Sequence, residues 1–159
     1  MTFAQLLAAL GMETKLDLNA AVQTGGCTIQ FDQSLELTLE FEADSGNLQL
    51  YVTAAQAPPT NREAFFAALL QLHLFGMATE GGVFGFDPQL DRVLFFKTLS
   101  LPSLDEAAAL GQVEVFVNQA ERWRARLLDI VARVTPAVGP SGGNPLGGNP
   151  LGGMPLDRA

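Results

Sequence analysis

The side chains best able to do chemistry are scarce in this 159-residue chain, which has one histidine, His73, and one cysteine, Cys27. A Cys–His nucleophile pair or a zinc site would draw on both, but one of each leaves too few ligands for an ordinary zinc centre. A single cysteine also excludes an intrachain disulfide. His73 sits in an apolar helical pattern with no second histidine and no carboxylate near it in sequence. It reads as a hydrogen-bonded core or interface residue, or else as a titratable group at a dimer seam. Cys27 begins a strand on its apolar face and reads as a small buried hydrophobe. Asp87 and Asp91 flank Pro88 in a turn composition, which explains them without a metal. Gly81-Gly82-Val83-Phe84-Gly85 lacks both the spacing of a phosphate-cradling loop and its Lys or Ser/Thr, so it reads as a tight link into a strand. The other carboxylates fall on alternating strand positions or in turns, as a solvated face would place them. No acid, base and nucleophile set can be assembled, so no catalytic residue, cofactor or metal is expected.

Charge narrows the partners. There are 9 Lys+Arg against 17 Asp+Glu, a net charge of -8 and a pI near 4.4, which excludes binding nucleic acid through a basic stripe. Arg122, Arg124, Arg126 and Arg133 form the one basic cluster. They read as cations near a helix C-terminus, with Asp129–Arg133 as a helix pair, or as a docking site for an acidic partner. Met1 to Met12 lacks a cationic start and a cleavage-like motif, so no signal peptide is expected. Ala64 to Ala78, broken by Gln71 and His73, is too short to cross a bilayer. No membrane insertion is expected, and a reducing cytoplasmic home is the default.

The elements that must position these residues are legible from capping and periodicity. Thr2-x-x-Gln5, Thr60-x-x-Glu63 and Ser103-x-x-Glu106 have the form of capping boxes. The first precedes a single stripe, Phe3, Leu6, Leu7 and Leu10, ending at Gly11. The second precedes Phe65, Phe66, Leu69, Leu70, Leu72, Leu74 and Phe75, closed by Gly76 and apolar on more than one face. The third opens a long amphipathic helix running to Val134, with Gly111 as a point of interruption and Pro136 as its stop. Between the first two helices the period becomes 2, in Cys27 to Phe31, Leu35 to Glu42 and Leu48 to Thr53, joined by Asp32-Gln33-Ser34 and Asp44-Ser45-Gly46 turns. Val83 to Phe86 and Arg92 to Thr98 form another pair. The order α-β-β-β-α-β-β-α predicts an α+β fold, an antiparallel sheet packed by helices.

Residues 136–159 differ in kind. Gly142-Gly-Asn-Pro-Leu146, Gly147-Gly-Asn-Pro-Leu151 and Gly152-Gly-Met-Pro-Leu156 are consecutive pentads. Two glycines and a proline in each prevent helix and ladder alike, so the expected division is a folded domain over 1–135 and a disordered tail over 136–159, or else a repeated interaction motif in that tail. Hydrophobic residues make up 48% of the chain, and the second helix and the strand Arg92 to Thr98 are apolar on both sides. A small domain has no second core to cover those faces, so a homodimer through them is expected.

Several strings in order resemble the class I type III secretion chaperones, the Tir-chaperone (CesT-like) family. They are Cys27-Thr-Ile-Gln-Phe-Asp32 leading to Leu37-Thr-Leu-Glu40, Leu69-Leu70 through Leu74-Phe75-Gly76, Phe86-Asp87-Pro88 followed by Val93-Leu-Phe-Phe96, and Phe116-Val117 through Ala120-Glu121-Arg122-Trp123-Arg124. The resemblance covers about residues 2–135. It implies a homodimeric bacterial cytoplasmic protein that binds the N-terminal chaperone-binding region of a secreted effector in extended form and keeps it export-competent, with the secretion-apparatus ATPase as a further partner. The dimer contact it implies maps onto Phe66, Leu70, His73, Leu74, Phe95 and Phe96. The partner-binding groove it implies maps onto Leu6, Leu7 and Leu10, and onto Leu37 and Leu39, which alternation alone would make core under the long helix. The competing reading is a regulatory module of the same fold acting on a sensor or transcription factor. An enzyme ranks third.

Overall fold

The computed structural model describes residues 1–31, 34–76 and 78–135. The expected tail over 136–159 and the turn residues Asp32 and Gln33 lie outside the described residues. The chain runs α1 (Phe3–Thr14), α2 (Asn19–Thr24), β1 (Gly26–Phe31), β2 (Leu35–Glu42), β3 (Asn47–Gln56), α3 (Arg62–His73), β4 (Val83–Asp87), β5 (Arg92–Ser100) and α4 (Glu106–Val134). The strands form one antiparallel sheet in the order β1-β2-β3-β5-β4, so β5 pairs with β3 and β4 is an edge. This is the expected α+β architecture with one added short helix, α2. That helix has no side-chain cap and ends at left-handed Gly25. Six residues hold too little periodicity to stand out in sequence.

Alternation sorts the sheet into two faces. Ile29 sits opposite Leu37, Leu39 opposite Leu50, and Val52 opposite Phe95, all buried beneath the helices. Lys97 falls on the same face opposite Leu50, and its Nζ donates to Gln112 Oε1 on α4 at 2.8 Å. Such pairing lets a lysine lie against a core with its charge satisfied. α4 buries Ala109, Val113, Phe116, Ala120, Trp123 and Leu127, a stripe of alternating three and four that lies along the sheet. α1 adds Phe3, Leu6, Leu7 and Leu10 to the same core. Each large side chain so buried contributes about 1.5–3 kcal/mol relative to exposure.

The helix starts show which capping signals form. The Thr2 box is made, with Gln5 N donating to Thr2 Oγ1 and Thr2 N to Gln5 Oε1. The Thr60 box is not: the N-cap of α3 is Asn61, in the left-handed region and without a side-chain cap. Asn61 Nδ2 instead donates to Val134 O at 2.6 Å, tying the start of α3 to the end of α4. The Ser103 box also fails, because Leu101–Ser103 forms a 3-10 turn and Asp105 caps α4 through Ala108 N at 2.8 Å. Gly111 does not interrupt α4, and α1 passes Gly11 to end at left-handed Lys15. Gly11 is there for space: a Cβ would lie 2.8 Å from Leu16 O.

Candidate functional site

Several exposed apolar side chains gather on α3, on the turn that follows it and on the edge strand β4. α3 buries Phe65 and Leu69 and turns Leu70 outward, 72% exposed, followed by Leu74 and Phe75 at 60% and 84%. Phe66 meets Phe86 of β4 edge to face with centroids 5.0 Å apart. The Arg62 guanidinium stands over both rings at 5.6 and 5.5 Å and is held by Asp91 through bonds of 2.9 and 2.7 Å. That pairing holds the Asp91 carboxyl below its usual range, chiefly through the hydrogen bond from Arg62. Between α3 and β4 runs a groove of about 230 Å³, whose walls include Phe66, Leu70, His73, Phe84 and Phe86.

His73 lies in this groove with its ring 6.3 Å from Phe84. Its buried Nδ1 has no hydrogen-bond partner among the described residues. Of the six side chains mapped to a dimer contact, Phe66, Leu70, His73 and Leu74 therefore share one surface. Phe95 is fully buried, stacked on Phe116 at 5.3 Å. Its ring also fills the space a side chain at Gly82 would need, which explains that glycine better than any ligand loop. Phe96, one residue on, faces the side of the sheet that carries no helix, between Tyr51 and Val83, and is half-buried. The strand looked apolar on both sides in sequence, but only one side could join the core.

The five leucines mapped to a partner groove are all core. Leu6, Leu7 and Leu10 are at most 4% exposed, and Leu37 and Leu39 are fully covered, as alternation alone would have it. Accessible apolar surface lies at their margins. A groove of about 460 Å³ between α1, the end of β1 and α4 is lined by Leu10, Phe31, Leu110, Val113 and Val117, with Glu13 and Glu114 on its walls. A second, of about 340 Å³, lies between Phe3, Val22, Phe41, Leu101 and Pro102. Phe31, Leu110 and Val117, not singled out by the sequence, supply the apolar walls of the larger groove. Their signal was placement beside a core stripe rather than in it.

Among the described residues the polar groups assemble no reactive set. On the helix-free face Tyr51 Oη donates to Glu40 at 2.6 Å, and Arg92 reaches Asp87 at 3.1 Å and Thr53 at 3.1 Å. Burial and the neighbouring Glu40 push the Tyr51 hydroxyl up, and burial pushes the Cys27 thiol up, away from the thiolate a nucleophile needs. Asp87 and Asp91 are each occupied by an arginine. Among the described residues no three of His, Cys, Asp and Glu come together as a metal site, and no helix is long and apolar enough to cross a membrane. In the basic cluster, Arg126 lies over Trp123 at 5.3 Å, Arg122 comes within 3.9 Å of Glu80, and Arg124 donates to Ser34 O. Asp129 and Arg133 do not form an ion pair, so the expected helix pair is absent.

Residues 5–124 match the model of the Tir chaperone protein (CesT) family. No curated protein matches the chain. Among solved structures, the chain is similar to one in the ExsC–ExsE complex, with a TM-score of 0.63 and 19% identity over 80% of this chain and 97% of that one. It is also similar to a chain of the heterodimeric ExoU–SpcU complex from the type III secretion system of Pseudomonas aeruginosa, with a TM-score of 0.61 and 16% identity over 81% and 97%. The HopA1–SchA chaperone–effector complex gives a TM-score of 0.57 at 16% identity over 76% and 91%. Identities this low establish a shared fold.

Proposed function

The chain belongs to the Tir chaperone protein (CesT) family, and on that premise we propose that it is a type III secretion chaperone. It binds the N-terminal chaperone-binding region of a cognate effector in extended form and keeps it soluble and competent for export. The observation that carries this reading is the match over residues 5–124 on a chain with apolar grooves beside α3 and beside α1. Binding would exchange exposed apolar surface on the client for exposed apolar surface on the chaperone, which needs no chemistry of its own. The structures it resembles include complexes described as chaperone with effector, which supports a protein partner of that kind.

The protein acts as a homodimer in this reading, with Phe66, Leu70, His73 and Leu74 of α3 meeting their counterparts and β4 alongside them. Leu6, Leu7, Leu10, Leu37 and Leu39 act from beneath, shaping the grooves whose accessible walls are Phe31, Leu110 and Val117. The folded unit is 1–135, with the remaining residues as an appendage. The protein works in the bacterial cytoplasm, is not an enzyme, and presents its acidic surface to the secretion apparatus, the ATPase included. Co-expression with the product of the neighbouring gene is the test. A soluble complex that retains the client's N-terminal segment is expected, and a client that purifies alone or precipitates despite abundant chaperone would overturn the reading.

A further inference from the structure

The groove between α1, β1 and α4 has a feature that packing within residues 1–135 does not explain. Gly111 stands on its wall, inside a 29-residue helix, and nothing lies within 4 Å of the position its Cβ would take. Glycine inside a helix is unfavourable relative to alanine, and its usual recompense is the close approach of another chain or ligand. At Gly11 and Gly82 such an approach is present within the chain; at Gly111 it is not.

We propose that a leucine of the Gly-Gly-Asn-Pro-Leu pentads docks beside Gly111 of its own chain, in the groove between α1, β1 and α4. Length supports this occupant. α4 rises about 35 Å from Gly111 to Val134. Doubling back, the chain can extend about 40 Å from Val134 to Leu146 and about 56 Å to Leu151, so the first pentad just reaches the groove and the second reaches it with slack. Chemistry supports it as well. The walls mix Phe31, Leu110 and Val117 with the acceptors Glu13 and Glu114. Each pentad offers a leucine, no charge, and two glycine N–H groups bare enough to reach a carboxylate. Asn61 on Val134 O fixes where the tail leaves the domain.

The proposal does not rest on the chaperone reading, because the contact itself requires no client. The test uses the full chain with Cys27→Ala, or Cys27→Val should alanine loosen the strand, and a nitroxide on Asn149→Cys. Methyl signals of Leu10, Leu110, Val113 and Val117 should lose most of their intensity relative to the reduced label, while those of Leu70 and Leu74 do not. Gly111→Leu, which fills the notch, and the triple variant L146S/L151S/L156S should each restore the signals. Equal intensities with oxidised and reduced label would overturn the proposal, as would broadening that survives both variants or centres on Leu70 and Leu74. A failed co-purification with intact broadening would remove the chaperone reading and leave the contact standing.

Discussion

Phe95 and Phe96 are neighbours in sequence and lie on opposite faces of the sheet, and the difference should be measurable. Phe95→Ala leaves a cavity against Phe116 and Trp123 and is expected to cost about 3–5 kcal/mol in urea unfolding, whereas half-buried Phe96→Ala should cost clearly less. Asp91 gives a pH test. Its carboxyl is held low by Arg62, so the stability it contributes is full above the unfolded value, about 3.9, and is lost as pH falls through the lower folded value. Wild type should therefore exceed Asp91→Asn at pH 6, with the gap closing toward pH 2.5; a gap that does not change with pH would contradict the pairing. At this scale the sequence was read correctly where one rule decided. The burial of Leu37 and Leu39 followed from alternation. The unpartnered Nδ1 of His73 was not legible, because hydrogen-bond partners depend on which elements meet.

Elements show the same division. The strands and their hairpin pairing followed from period 2, and α4 from its three-four stripe. What failed was fine punctuation: of three capping boxes two do not form, one because the chain turns at Leu101–Ser103 and Asp105 takes the cap of α4, the other because α3 starts at Asn61, whose side chain is drawn to Val134 O. Glycine as a stop signal failed twice in helices, for opposite reasons. At Gly11 a methyl would meet Leu16 O at 2.8 Å, so Gly11→Ala should lower the unfolding midpoint. At Gly111 nothing obstructs it, so Gly111→Ala should raise stability by about 0.5–1 kcal/mol. Equal effects at the two positions would contradict this account of why each glycine is present.

For the whole molecule the issue is what covers α3. Leu70, Leu74 and Phe75 form an apolar projection on a chain that carries a net charge of -8, and such a projection is better explained by a partner than by solvent. The mean hydropathy of +0.21 and 48% hydrophobic content signalled surplus apolar material, but not which side of α3 would stay uncovered, since that helix reads as apolar on more than one face until its neighbours are known. Replacing Leu70 and Leu74 by glutamate should separate the copies while changing monomer stability little, because both side chains are mostly exposed. Light scattering on the purified protein at micromolar concentration tests the central claim most directly. A mass twice the 16.9 kDa of one chain, falling to that of one chain in the double glutamate variant, is the expected result. A wild-type mass of a single chain would contradict it.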